Sequence, residues 1–144
     1  MDSLERHSGP GTFFFIGKNV LSYPEIVKDA HERGFLIGNH SFTHNFDTHD
    51  SHTRLALELH STGFLIERLT GEEPTYYRPP FLLSIGIDAA PNPHIDTIEA
   101  NTWAMEQGYL PVGIDIDTKD WLAHSAADVA AGLKNNVKGG HIVL

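Results

Sequence analysis

The sequence alternates between short apolar runs rich in β-forming residues and longer segments with helical periodicity, and this alternation constrains the fold most. Residues 12–16 (TFFFI) form an uninterrupted apolar run between two glycines, which predicts a buried strand. Further strand-like runs begin at Phe35, Tyr76, Tyr109 and His141. Strands that alternate with helices pair in parallel through right-handed crossovers. The chain is therefore predicted to be an α/β protein with a parallel sheet.

Capping residues and glycines predict where the intervening helices begin and end. Ser22 and Glu25 have the spacing of a capping box, and Gly34 would end the helix that they begin. Asp50 or Ser51 would cap the longest helix, and Gly71 would end it. That helix is indicated by an apolar face at helical spacing, formed by Leu55, Leu59, Ile66 and Leu69.

Two architectures satisfy this alternation, an open doubly wound sheet and a closed β/α barrel. Nucleotide-binding members of the open class carry a glycine-rich phosphate loop after a strand, and no predicted strand here is followed by one. We therefore predict an incomplete, distorted β/α barrel, TIM-like, with parallel strands. No helix is predicted before the first strand, and the last predicted strand, which begins at His141, reaches the end of the sequence in its middle. We therefore expect truncation at both ends. No repeat or linker is apparent, and residues 1–144 are expected to form one domain.

Composition excludes several classes of function. The chain has 10 basic and 19 acidic residues and a net charge of −9, which argues against nucleic-acid and anionic-membrane partners. It contains no cysteine, which excludes a disulfide scaffold, a thiolate zinc site and a cysteine nucleophile. No apolar run approaches the roughly 20 residues of a membrane-spanning helix. The first residues also lack the apolar stretch of a signal peptide, and localisation stays open.

Polar side chains follow three successive predicted strands. Parallel β/α folds place their functional groups at the carboxyl ends of the strands, so these side chains are candidates for a common site. In chain order they are His40, His44, Arg78, Asp115, Asp117 and Asp120.

Taken singly, each of these features also has a structural explanation. His40 and His44 are spaced so that one helical turn or a tight loop can direct both imidazoles at one ion. An isolated pair of this kind in a His-rich stretch is more often two ordinary surface histidines, and catalytic zinc usually has three protein ligands. Arg78 alone can be a solvated arginine, although Pro79 and Pro80 restrict its backbone.

Three motifs in combination favour a functional interpretation. They are residues 40–44 (HSFTH), 78–81 (RPPF) and 117–121 (DTKDW), in this order and at predicted strand ends. Together with residues 12–17 (TFFFIG), they resemble the polysaccharide deacetylases, the NodB-homology group of carbohydrate esterases. The resemblance covers nearly the whole chain, and three motifs in register are much more specific than any one.

The resemblance implies a metal site and a supporting charged pair. His40 and His44 would be the two histidine ligands of a divalent metal ion, most often zinc. Arg78 would contact and orient the catalytic base. Asp120 would pair with Arg78, so that both residues support catalysis.

The resemblance also implies substrate contacts at Pro80, Phe81 and Trp121. Phe81 stands where the family often has tyrosine, and its backbone N–H would help to hold the oxyanion. Trp121 would form one wall of the substrate groove, although a tryptophan at this position can also be a core residue.

Two motifs of the family have no counterpart in the sequence. The first is an Asp-Asp pair on the opening strand, which supplies the catalytic base and the third metal ligand; Asp2 is the only aspartate before Gly11 and lacks a strand context. The last is a Leu-His pair carrying the general acid, which would fall just beyond Leu144, so His141 is not that acid. If the chain is active, Asp47 or Asp117 would have to act as the base.

The function implied is a metal-dependent hydrolase that removes acetyl groups from an N-acetylated or O-acetylated polysaccharide. Since the base and the acid are not visible, this chain is expected to have little or no activity alone. The alternative is a catalytically inactive carbohydrate-binding or regulatory protein of the same fold, and a third hypothesis is a β/α scaffold whose His-rich loop binds metal adventitiously. Fusion to other domains in a full-length protein is compatible with each of them.

Overall fold

The computed structural model describes residues 1–45, 51–82, 97–134, 137 and 139–143. The chain divides into two compact units, Met1–Val112 and Gly113–Leu144. The expectation that the whole chain forms one domain stays a prediction.

Parallel strands form the sheet of the first unit, and they follow one another in space as they do in the chain. Their order is β1-β2-β3-β4, with every neighbouring pair parallel. A β/α barrel has this order, whereas an open doubly wound sheet reverses its strand order at a switch point. The predicted α/β fold, a partial barrel with parallel strands, is confirmed. The strands are β1 (Thr12–Phe15), β2 (Leu36–Asn39), β3 (Tyr76–Tyr77) and β4 (Leu110–Pro111).

One short helix, which was not predicted, precedes the first strand, and the other helices connect the strands. In the described part of the first unit they are α1 (Asp2–Arg6), α2 (Gly17–Ser22), α3 (Pro24–Glu32), α4 (His52–Thr70) and α5 (Thr97–Glu106). The predicted caps of the longest helix, α4, are confirmed: the Arg54 N–H donates to the Ser51 hydroxyl at 3.2 Å, and Gly71 ends the helix with φ 80°. No helix in the described ranges is long and apolar enough to cross a membrane.

The predicted capping box at Ser22 and Glu25 is wrong. Ser22 is the last residue of α2, which was not predicted, and its hydroxyl donates to the Lys18 carbonyl at 3.1 Å. Helix α3 begins at Pro24 after Tyr23, without a side-chain cap. Because proline has no N–H, one unsatisfied donor of the first turn is absent from the start.

Two clusters of buried side chains form the core of the first unit, and α4 contributes to both. One cluster contains Leu55, Leu59, Tyr77, Ala100, Ala104 and Tyr109. The other contains Val20, Val27 and Ile66. Because α4 is anchored in both clusters, its first turns form a fixed surface beside the loop that follows β2.

The second unit contains α6 (Ala126–Lys134) and an isolated parallel bridge between Ile116 and Val143. The Asp115 N–H donates to the Ile142 carbonyl at 2.8 Å, and the Ile142 N–H donates to the Asp115 carboxylate at 2.7 Å. The strand predicted from Tyr109 is therefore divided, since only β4 pairs with β3. The last predicted strand forms only this bridge among its described residues.

Candidate functional site

His40 is placed at the carboxyl edge of the sheet by backbone hydrogen bonds on both sides. Its N–H donates to the Phe15 carbonyl at 3.0 Å, and the Arg78 N–H donates to the Asn39 carbonyl at 2.9 Å. The His40 Nδ1 lies 2.7 Å from the Arg78 carbonyl oxygen. We assign the ring proton to Nδ1, because a carbonyl oxygen can only accept. This tautomer leaves the lone pair of Nε2 available to coordinate a metal ion.

Burial keeps the His40 ring neutral. It lowers the pKa of His40 to about 4, against the effect of the hydrogen bond to the Arg78 carbonyl, which raises it. Electrostatic interaction with the neighbouring His44 and Arg78 side chains lowers the pKa of His40 further. Neutral imidazole is the form that binds metal ions, so His40 is a ready donor near pH 7.

A tight loop brings the second histidine next to the first. The ring centroids of His40 and His44 lie 4.7 Å apart at an interplanar angle of 71°. Ser41 and His44 both adopt the left-handed region, with φ 62° and φ 57°. The His44 N–H donates to the Ser41 hydroxyl at 3.0 Å, which closes the turn. Of the two arrangements left open by the spacing, the loop is the one observed.

Two buried polar side chains attach this loop to α4. The Asn39 Nδ2 donates to the Leu59 carbonyl at 2.8 Å, and its Oδ1 accepts the Ser41 N–H at 3.0 Å. The carboxylate of Glu58 accepts both backbone N–H groups of residues 42–43. Sequence analysis singled out neither side chain. The available signal was a glutamate on the apolar face of the helix, since Glu58 lies three residues after Leu55 and directly before Leu59.

Arg78 is buried at the end of β3. Its guanidinium carbon lies 4.3 Å from the ring centroid of Phe14, a cation–π contact with a residue of β1, which is separated from β3 by β2 in the sheet. Burial lowers the pKa of Arg78, but guanidinium remains protonated in proteins. Pro79 and Pro80 are themselves fully buried, so the backbone on the carboxyl side of Arg78 is held tightly.

Phe81 completes the group of neighbouring side chains in the first unit. It lies in a single 3₁₀ turn that begins at Pro80, and it has φ 57°. Its ring centroid is 4.8 Å from that of His44. The residues predicted at the ends of β2 and β3 are thus brought together.

Asp120 and Trp121 lie in a 3₁₀ turn of the second unit. The turn follows Lys119, whose N–H donates to the Asp117 carboxylate at 2.9 Å. The Asp120 side chain is exposed, and Trp121 is 74% exposed. The pairing of Asp120 with Arg78 and the role of Trp121 in a groove stay predictions.

The two histidine rings are chemically suited to bind a metal ion, and whether they do so stays a prediction. Among the described residues, no group of three or more His, Asp or Glu side chains is arranged to hold an ion. His40 and His44 fit a metal that takes two imidazole ligands and completes its coordination from other groups. Asp47, one of the two alternative bases, lies outside the described residues.

Two comparisons with known sequences indicate the same family. The family model for polysaccharide deacetylase matches residues 1–85. A peptidoglycan-N-acetylglucosamine deacetylase of Bacillus cereus is 28% identical over 145 residues, covering 100% of this chain and 48% of that protein. Because the chain spans about half the length of this curated relative, the relative's complete activity does not transfer to it directly.

Comparison with solved structures gives the same fold. The Bc1960 peptidoglycan N-acetylglucosamine deacetylase, in complex with 4-naphthalen-1-yl-N-oxidanyl-benzamide, matches with a TM-score of 0.84 and 29% identity. The match covers 99% of this chain and 61% of that one. A pseudoenzyme of the CE4 family from Bacillus anthracis, BA3943, also matches with a TM-score of 0.84, at 22% identity and with 99% and 47% coverage. At this identity the likeness to BA3943 shows the fold alone.

Proposed function

Because this chain belongs to the polysaccharide deacetylase family, we propose that it carries the histidine half of the active site of a metal-dependent hydrolase. The reaction is removal of acetyl groups from an N-acetylated polysaccharide, with peptidoglycan as the first substrate to test, since the Bacillus cereus relative is named for it. The observation that carries this proposal is the pair of imidazole rings, 4.7 Å apart, beside the buried Arg78.

Zinc is the metal we propose, held by Nε2 of His40 and by the ring of His44. When bound, such an ion lowers the pKa of a water molecule toward neutrality and polarises the acetamide carbonyl. The two imidazoles suit zinc, which accepts nitrogen ligands in tetrahedral sites. The contact of His40 Nδ1 with the Arg78 carbonyl, at 2.7 Å, holds the ring in the tautomer that this requires.

The remaining residues of the site act on charge and orientation. Arg78 presents a permanent positive charge, and we assign it the task of orienting the carboxylate base. The backbone N–H of Phe81 is assigned to the oxyanion that develops on the acetyl carbonyl oxygen. Pro80 limits the conformations of that backbone. In the second unit, considered by itself, the exposed ring of Trp121 offers a surface on which a sugar can stack.

A second candidate function is carbohydrate binding or regulation without turnover. The observation that favours it is the absence of a carboxylate grouped with His40 and His44 among the described residues. Without a base, proton abstraction from water loses a contribution of about 10²–10⁴-fold. This function would retain the sugar-binding surface and dispense with the chemistry.

Zinc binding and acetate release separate these functions. We expect the chain to bind zinc, and His40→Ala to abolish this binding, whereas His60→Ala, which removes an exposed histidine of α4, leaves it intact. Acetate release from N-acetylglucosamine oligomers is expected only from a version that also carries the family's Asp-Asp and Leu-His motifs. Equal zinc affinity in the two alanine variants would contradict the metal site. Oligomer binding without acetate release by that extended version would favour the second function.

A further inference from the structure

Glu58 is a buried carboxylate whose bonding is directed at the histidine loop. Glu58 lies on the buried face of α4 with Leu55 and Leu59, and it is only 3% exposed. One carboxylate oxygen, Oε2, accepts the N–H of Phe42 at 2.8 Å and that of Thr43 at 2.7 Å. The other oxygen, Oε1, accepts the Thr43 hydroxyl at 2.8 Å and lies 3.1 Å from the Arg54 guanidinium. The carboxylate therefore binds both middle residues of the loop.

The loop needs such support because its backbone is unfavourable at two positions. Ser41 and His44, on either side of the pair bound by Glu58, have φ values of 62° and 57°. Residues other than glycine adopt this region only where the surrounding structure holds them there. The Glu58 bonds act on the two residues between these positions, so they hold the turn that sets His44 beside His40.

The surroundings of Glu58 indicate that it acts as a charged acceptor. It receives two backbone N–H groups and one hydroxyl, and it faces the Arg54 guanidinium, a set of partners that suits an ionised carboxylate. Burial raises the pKa of the neighbouring Tyr77 hydroxyl, and the negative charge of Glu58 raises it further. Tyr77 belongs to the core at the end of β3, so the carboxylate is seated between the core and the loop.

We propose that Glu58 is a positioning residue that sets the arrangement of the His40 and His44 rings and thereby the metal affinity of the site. The part of this inference that concerns metal rests on the proposed function above. The positioning itself is a property of the metal-free protein. The two are therefore tested by different measurements.

The experiment compares three variants of the full chain. Glu58→Ala removes all the loop contacts, and Glu58→Gln keeps one acceptor oxygen in an isosteric side chain. Ile66→Ala is the matched control, because Ile66 is buried on the same helix, at 1% exposure, and packs in the cluster with Val20 and Val27. All are measured at a temperature where circular dichroism shows each to be folded.

The metal-free readouts are amide hydrogen exchange at Phe42 and Thr43 and the nuclear Overhauser contacts between the rings of His40 and His44. Glu58→Ala is expected to accelerate exchange at both amides by at least about tenfold and to weaken the ring contacts, whereas Ile66→Ala changes neither selectively. Glu58→Gln is expected to lie between Glu58→Ala and the parent. Unchanged exchange and ring contacts in both Glu58 variants would overturn the proposal.

The metal readout is zinc affinity, measured by competition with a chromophoric chelator. Loss of a group that supports metal ligands typically weakens binding by about 10–100-fold, and we expect this for Glu58→Ala. Ile66→Ala should bind zinc as the parent does; an equal loss in Ile66→Ala would reduce the effect to general destabilisation and overturn the proposal. If the parent binds no zinc, the proposed function is wrong, and the metal-free readouts decide the positioning role.

Discussion

Replacing Asn39 by aspartate is expected to destabilise the fold more than replacing it by alanine, although aspartate is the closer match in shape. Asn39 is fully buried, at 0% exposure, and uses both ends of its amide. Its Nδ2 donates to the Leu59 carbonyl at 2.8 Å, and its Oδ1 accepts the Ser41 N–H at 3.0 Å. An ionised aspartate keeps the second bond but turns the first into a contact between a carboxylate oxygen and a carbonyl oxygen.

The magnitudes follow from these two bonds. Asn39→Ala loses two buried hydrogen bonds at about 1 kcal/mol each, so a loss of about 2 kcal/mol is expected. In Asn39→Asp, burial and the facing Leu59 carbonyl raise the carboxyl pKa; a rise of about three units, within the range for buried carboxyls, costs about 4 kcal/mol near pH 7. A group with a raised pKa is most favourable in its protonated form, so the penalty shrinks as the pH falls from about 7 toward the unfolded value of about 4.

Urea denaturation followed by circular dichroism, on the parent and both variants near pH 7, 6 and 5, measures these differences. Comparing the two variants with each other cancels the titrations that they share. Asn39→Asp should be the less stable variant near pH 7, and the gap should narrow or reverse near pH 5, where a protonated carboxyl can donate to the Leu59 carbonyl. Equal stability of the two variants near pH 7, or a gap independent of pH, would refute the reasoning.

Three further predictions concern His40, Gly38 and Asp120. The metal-free chain should lose up to about 3 kcal/mol of stability as the pH falls from about 6.5 to about 4. The reason is that His40 takes up a proton in the unfolded chain over this range, whereas the folded ring, with its pKa of about 4, does not. Denaturation of His40→Asn should therefore show a flatter dependence of stability on pH. Gly38→Ala would place a Cβ 2.5 Å from the Phe14 ring beneath the arginine, so thermal unfolding should show a loss of about 1–3 kcal/mol, and an unchanged melting temperature would contradict this close packing. The family resemblance assigns a catalytic role to Asp120, so Asp120→Asn should lower acetate release by the extended version more than Asp115→Asn, and equal losses would count against the assignment.

Local sequence determined the elements whose signals act over a few residues. The apolar run after Gly11 forms β1, and α4 begins after Ser51 and ends before Gly71, as the capping chemistry of these two residues predicts. These signals are reliable because a cap or a left-handed glycine satisfies backbone groups within its own turn. Where two elements meet, the same signals are ambiguous. Ser22 carries a capping signal for the helix after it, yet it hydrogen-bonds back into α2, because Pro24 needs no cap at its own N–H.

The residue types of the site were also readable from the sequence, since the motifs containing His40, Arg78 and Phe81 stand at the carboxyl ends of parallel strands. The spatial arrangement of these residues was not readable from the sequence. The spacing of His40 and His44 allows a helical turn as well as a loop, and tertiary contacts made the choice. The loop carries two left-handed residues that local preference disfavours, and it persists because Asn39 and Glu58 bind it to α4. The bonds that reach α4 join residues 15 to 20 positions apart, a distance over which only the folded chain brings a donor and an acceptor together.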